Sequence, residues 1–186
     1  MSGSRNGFPP VVAPDARLLI LGSFPSEASL AAGHYYAHPR NQFWPILGEL
    51  LGEPLTELPF ERRYQLVRER GIAIWDVHAA CRREGSLDSA IRDSRPNDFS
   101  RLRELAPRIE RVVFNGRHAA GFAQAFRAQG YDVQVLPSTS PAYAAMPVAE
   151  KRVAWREALA PFVAPRESVA RACGAAGAQS DDPERT

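Results

Sequence analysis

Arg17-Leu18-Leu19-Ile20-Leu21-Gly22-Ser23-Phe24-Pro25-Ser26 is a short apolar run that closes on glycine and opens into a serine- and proline-rich turn. A run of this length bounded by a breaker reads as a buried strand feeding a loop. Residues 72–77, 111–114 and 133–136 repeat the form and predict three more strands. The intervals carry helical spacing. Phe43, Trp44, Leu47, Leu50 and Leu51 recur on one face over 41–51, with Asn41 positioned as the cap. Residues 59–70, closed by Gly71, give a second helix, and 117–129 and 148–159 two more. Residues 86–110 mix short helices with loop, Asn97 or Asp98 capping the clearer one. Strands alternating with helices predict an α/β fold, a three-layer α/β/α arrangement around a central four-stranded, mostly parallel sheet.

The chain has 186 residues, 45% of them hydrophobic, which suits one domain. We expect a loose Gly/Pro-rich lead-in at 1–16, a single domain over 17–165, and a disordered tail at 166–186, where the composition turns to Ala, Gly, Ser, Asp and Glu. No apolar run approaches the ~20 residues a bilayer requires. The start of the chain lacks the basic and apolar segments of a secretory signal. Cys81 and Cys173 stand far apart and match no zinc or iron–sulfur spacing. The expectation is a cytoplasmic protein, monomeric, with neither metal nor cofactor. Net charge is +2 and Lys151 is the single lysine. Arginine suits phosphate through its planar fork of donors, but so weak a net charge permits a basic groove without locating one.

Ligands of parallel sheets bind beyond the carboxyl ends of the strands, which directs attention to 22–41, 76–86, 115–117 and 137–147. The turn after Gly22 satisfies neither a nucleophile-elbow nor a phosphate-loop pattern. Tyr35-Tyr36-Ala37-His38-Pro39-Arg40-Asn41-Gln42-Phe43-Trp44 is more informative. It crowds two tyrosines, a histidine and an arginine onto a loop that feeds a helix N-terminus. Tyrosine faces stack on bases, and a helix N-terminus favours negative charge. Two readings stand level here: a nucleic-acid site, or tyrosines packed in the core beside an asparagine that only caps.

This stretch resembles the first motif of the uracil-DNA glycosylase superfamily, most closely its mismatch-specific uracil and hypoxanthine-DNA glycosylase branches. The shared order is strand, Gly-x-x-Pro turn, loop, then aromatic-Ala-His-Pro-x-Asn-x-Phe-Trp opening a helix. Pro137-Ser138-Thr139-Ser140-Pro141 resembles the second motif, and Phe114-Asn115-Gly116 sits where the family has a strand end near its base pocket. The likeness spans roughly 17–160. It implies an enzyme acting on damaged DNA that hydrolyses the glycosidic bond of a flipped, deaminated base in base excision repair.

Two departures shape the expectations. Most relatives carry an acid or amide two residues after the motif glycine, where this chain has Phe24. The hypoxanthine-type branch shares Gly-Ser-Phe-Pro-Ser and hands the catalytic role to the later asparagine, here Asn41. The matching position of the leucine that relatives insert into the duplex is Ser140, which leaves Tyr143 or Met146 as wedge. The resemblance further implies a base pocket of Ser23, Phe24, Tyr36 and Asn115, the Asn115 amide meeting a base edge with one donor and one acceptor. DNA contacts fall to His38, Arg40, Ser138, Thr139, Ser140 and Tyr143. Asp76 and His78 read as a satisfied core acid and a surface histidine. Lys151 reads as solvated, which favours simple hydrolysis over Schiff-base chemistry. The alternatives are a uracil-directed mismatch glycosylase and a lesion-binding protein without catalysis.

Overall fold

The computed structural model describes residues 4–163. In chain order its strands are β1 (Arg5–Asn6), β2 (Leu18–Gly22), β3 (Ile72–Asp76), β4 (His78–Arg82), β5 (Arg92–Pro96), β6 (Arg111–Asn115) and β7 (Asp132–Leu136). Its α-helices are α1 (Glu27–Ala32), α2 (Phe43–Leu51), α3 (Phe60–Glu69), α4 (Leu102–Leu105), α5 (Ala123–Ala128) and α6 (Val148–Val163).

The central sheet has the order β3-β2-β6-β7, and every neighbouring pair is parallel. Helices flank it in a three-layer α/β/α fold. β2 and β3 are buried along their whole length, and β6 from Val112 onward, which is why they read as unbroken apolar runs rather than alternating ones. β7 lies at the edge and buries only Leu136 fully. The chain winds one way from β2 to β3 and the other way from β6 to β7. The strand order therefore reverses between β2 and β6, and a crevice opens beyond their carboxyl ends.

Three features depart from the expectations. The lead-in is not loose from Ser4 on: β1 pairs with β4, Val11 bridges Ile74, and Val11 and Ala16 are buried. Apolar anchors among the glycines and prolines hold it down. Residues 78–96, expected as loop and short helix, form a second, antiparallel sheet of order β1-β4-β5. β5 is exposed at every position and β4 sets three small residues between a histidine and an arginine, so neither carries an apolar alternation. The loop after β2 contains α1, whose start is capped by Ser26 accepting from the Ser29 amide and whose end is Gly33 at φ 73°. Smaller differences follow. The helix expected at 117–129 splits into a 3₁₀ turn, Ala119–Phe122, and α5, while Asp98 caps the turn at 99–101. The tail at 166–186 lies outside the described residues. Among those residues no helix is long and apolar enough to cross a membrane.

Candidate active site

A cavity of about 240 Å³ opens at the reversal between β2 and β6. Three strand ends form its base: Gly22, Asp76 and Asn115. Phe24, Tyr36, Asn41 and the loop carrying Ser138 and Tyr143 close the sides. The topology alone selects this place, and the sequence fills it with amides, hydroxyls and the carboxyls of Asp76 and Asp88.

Gly22 makes the interior possible. A Cβ there would collide with the Asp76 carboxylate and lie 2.9 Å from the Tyr36 hydroxyl, so both groups lean over a backbone that has no side chain of its own. Asp76 is 3% exposed, and its Oδ2 has no hydrogen-bond partner among the described residues. Burial pushes its carboxyl up to about 8; the neighbouring Asp88 charge adds to the rise and Arg83 opposes it. Its surroundings thus favour the neutral form of the carboxyl, which lines the cavity. The reading of a satisfied core acid fails. The Asn97 amide braces only the Asp76 main-chain carbonyl, at 2.8 Å. His78 is buried rather than on the surface, its Nε2 3.4 Å from that of His118.

The two tyrosines divide. Tyr35 belongs to the core, edge-on to Phe8, with its carbonyl accepting from the Trp44 indole. Tyr36 belongs to the cavity. It holds φ at 55°, a region non-glycine residues enter only under constraint, and its ring stacks on Phe43 at 3.8 Å. One face is covered by Phe43, which leaves the other for a ligand. The hydroxyl is buried with no hydrogen bond among the described residues; burial, then the Asp76 charge, raises its pKa, and the nearby Asn115 side chain opposes the rise.

Asn115 and Thr139 lock together. The Asn115 Nδ2 donates to the Thr139 hydroxyl and its Oδ1 accepts from the Thr139 amide, both at 2.9 Å. One N–H and one oxygen lone pair remain on the amide, and they point to opposite sides. Asn115 can therefore offer a base one hydrogen bond, and the two-point match expected of it does not hold. Thr139 is 0% exposed, and its carbonyl also accepts from the Gln42 amide. Its side chain is turned into the fold rather than toward solvent; it latches the 137–147 loop to β6 and to the start of α2. Asn115→Ala should accordingly destabilise the fold by about 1–3 kcal/mol, the cost of leaving buried Thr139 groups unpaired. It should weaken abasic-DNA binding as well as excision. Thermal melts and abasic-site affinity check this, and an unchanged melting temperature would remove the latch.

Asn41 stands two residues ahead of α2, where its Oδ1 accepts from the Phe43 amide at 3.0 Å. Gln42, not Asn41, occupies the cap position, without a side-chain bond. The cap reading is thus correct in chemistry and shifted by one residue. Asn41 also lines the cavity, so its Nδ2 and the second lone pair of Oδ1 are available to a small ligand. Pro45 in the first turn of α2 leaves no helix bond unmade, since that N–H has no partner in any helix.

The other expected residues separate by position. Phe24 is buried and lines the cavity, with the buried Arg83 guanidinium over its ring and donating to the Pro25 carbonyl. Ser23 lines the cavity too, but its hydroxyl donates to Asp88 at 2.6 Å. Ser138 and Ser140 line the cavity and hold the local turn, each hydroxyl accepting a nearby amide. Tyr143 is a wall rather than a free tip. Lys151 donates to its carbonyl at 2.6 Å and lies over its ring at 4.9 Å. Lys151 is buried, not solvated, and burial lowers its pKa. His38 and Arg40 are not among the cavity residues. They sit on the turn before α2, Arg40 exposed and its amide donating to His38 Nδ1.

Comparison with known proteins follows the same line. A family model, the uracil DNA glycosylase superfamily, matches residues 9–160. A hypoxanthine DNA glycosylase from Methanosarcina barkeri is 39% identical over 136 residues, and one from Methanosarcina acetivorans is 41% identical over the same length. Each alignment covers 73% of this chain and 86% of the relative. A solution NMR structure from Methanosarcina acetivorans, provisionally named a uracil DNA glycosylase, superposes with a TM-score of 0.74 at 37% identity. That match covers 83% of this chain and 98% of the other.

Proposed function

The chain belongs to the uracil DNA glycosylase superfamily, and from that premise we propose that it is a monofunctional DNA N-glycosylase excising a deaminated base, hypoxanthine foremost. The observation that carries the reading is the carboxyl of Asp76 and the amides of Asn41 and Asn115 set around one cavity beyond the strand ends, in a chain 39–41% identical to hypoxanthine DNA glycosylases. Every group named comes from one chain, which supports an enzyme acting on damaged DNA as a monomer.

The target nucleotide leaves the stack and its base enters the cavity, at a cost of a few kcal/mol that is least at a damaged pair. Tyr36 offers the face not covered by Phe43, and Phe24 bounds the pocket beside it. Hypoxanthine presents a ring carbonyl next to an N–H. Neutral Asp76 donates to that carbonyl through its hydroxyl and accepts from the N–H through its other oxygen. Asn115 adds a single bond. As the glycosidic bond lengthens, negative charge collects on the base and positive charge on the sugar. The Asp76 hydroxyl stabilises the first, in a site with little competing water. Asn41 orients the water that adds to the anomeric carbon; an amide is too weak a base to do more. Ser138, Ser140, His38 and Arg40 hold the flanking phosphates.

Duplexes bearing inosine, uracil or normal bases, treated with alkali after incubation, test the reading. Strand breaks at inosine support it. Breaks at uracil alone would make it a uracil enzyme, and binding without breaks a lesion sensor. The reaction should also leave no borohydride-trapped adduct. The single lysine donates to Tyr143 and is not among the residues lining the cavity, so no lysine amine faces the sugar. An adduct that disappears in Lys151→Arg would make the enzyme a lyase.

A further inference from the structure

Flipping a nucleotide leaves a gap in the duplex, and a wedge must occupy it for the base to stay out. The expected candidates do not provide one. Ser140 is polar, Tyr143 is held beneath Lys151, and Met146 is half-buried and is not among the cavity residues.

The described residues include four large apolar side chains that are well exposed: Leu87, Val135, Val148 and Val153. Only Leu87 lies between two cavity-lining neighbours, Ser86 and Asp88. It is 57% exposed and stands on the connection between β4 and β5, whose Ser86 and Asp88 line the same cavity as Ser138 and Tyr143.

That connection is held firmly on both sides of the leucine. The Ser86 hydroxyl accepts from the Glu27 amide at 3.0 Å, tying it to the start of α1. The Asp88 carboxylate accepts from Ser23 at 2.6 Å and lies 3.9 Å from Arg83, tying it to the turn after β2. A 3₁₀ turn begins at once, with Ala90 donating to the Leu87 carbonyl and Ile91 to that of Asp88. Arg92 and Arg95, exposed on β5, bring positive charge to the same ribbon for the phosphates on either side. A lone exposed leucine is ordinary on a protein surface. A leucine fixed at the rim of a base-sized cavity, on an arginine-bearing ribbon, is placed to enter DNA.

We propose that Leu87 is the wedge, entering the stack where the target nucleotide departs; this rests on the glycosylase reading. The lesion sits in the cavity while Leu87 fills its former place, so Ser86 and Asp88 mark the boundary between pocket and duplex.

Leu87→Ala tests it, since an exposed side chain can be truncated without disturbing the fold. Single-turnover excision of inosine from a duplex should fall by about tenfold, while excision from a single strand, which has no stack to hold open, stays within roughly twofold. Leu87→Met should restore the duplex rate. A fluorescent adenine analogue beside the lesion should brighten on binding wild type and much less with Leu87→Ala. Equal losses on both substrates, or full duplex activity with unchanged brightening, would overturn the wedge while leaving the glycosylase intact. Failure of the wild type to release any base would overturn the glycosylase reading and the wedge with it.

Discussion

Asn41→Ala is expected to lower single-turnover release of hypoxanthine by about 10²–10³-fold, the range for losing one preorganised polar group aimed at a transition state. Binding to the intact lesion should stay within roughly threefold, because orienting a water adds little to ground-state affinity. The complication is that Asn41 also accepts from the Phe43 amide at the head of α2, and losing such a bond costs about 1 kcal/mol of stability. Asn41→Ser separates the two roles. Serine holds a helix start about as well as asparagine, but its short hydroxyl cannot reach a water that the longer amide holds. If Asn41 orients the water, the serine variant melts like wild type and is nearly as slow as the alanine variant. If Asn41 only shapes α2, serine restores the rate, and the orienting role is lost.

How far these roles were legible in the sequence depends on what each residue must do locally. The sheet was readable because β2, β3 and β6 are buried on both faces and so appear as unbroken apolar runs. The place of Asn41 and Tyr36 at one cavity was readable because their stretch forms a compact motif within a few residues. The β4–β5 ribbon was not. Its pairing replaces a core, and Arg92-Asp93-Ser94-Arg95-Pro96 carries the composition of a loop. Leu87 was missed with it, since one leucine among glycine, serine and aspartate has no period. Thr139 was assigned to DNA by motif, yet it is the latch that fixes Asn115, a role set by a partner 24 residues away. Asp76 fails for a different reason. An aspartate ending an apolar strand reads the same whether its carboxyl is satisfied or not. Only its lean over the side-chain-free Gly22 and the lack of a partner for Oδ2 among the described residues distinguish the two. The usable signal was its place at the carboxyl end of a parallel strand next to the reversal.

Asp76 should make excision fail in base. Its carboxyl is pushed up to about 8, first by burial and then by the Asp88 charge, with Arg83 pulling the other way. The neutral form carries the hydroxyl that donates to the leaving base. Wild-type excision should therefore be flat below pH 7 and drop about tenfold per unit above pH 8, as the donor ionises and the charge it acquires repels a departing anion. Asp76→Asn keeps one donor and one acceptor in the same place and cannot ionise. It should retain activity within about tenfold at pH 7 and lose the alkaline limb, whereas Asp76→Ala should fall by about 10²-fold at every pH. Stability moves in the same window. In the unfolded chain the carboxyl releases its proton near its ordinary value of 3.8, while the folded chain holds it to about 8. Between these values the folded state carries the extra proton, so stability from this group is full at low pH and is lost as pH rises, by about 1.4 kcal/mol per unit at the steepest. Above pH 8 both states are ionised and the loss levels off. Asp76→Asn has no such proton, so its melting temperature should gain on that of wild type from pH 5 to pH 8 and gain no more beyond it. A wild-type profile without a limb near pH 8, or an asparagine variant that keeps the limb, would place the ionising group elsewhere and return Asp76 to a structural role.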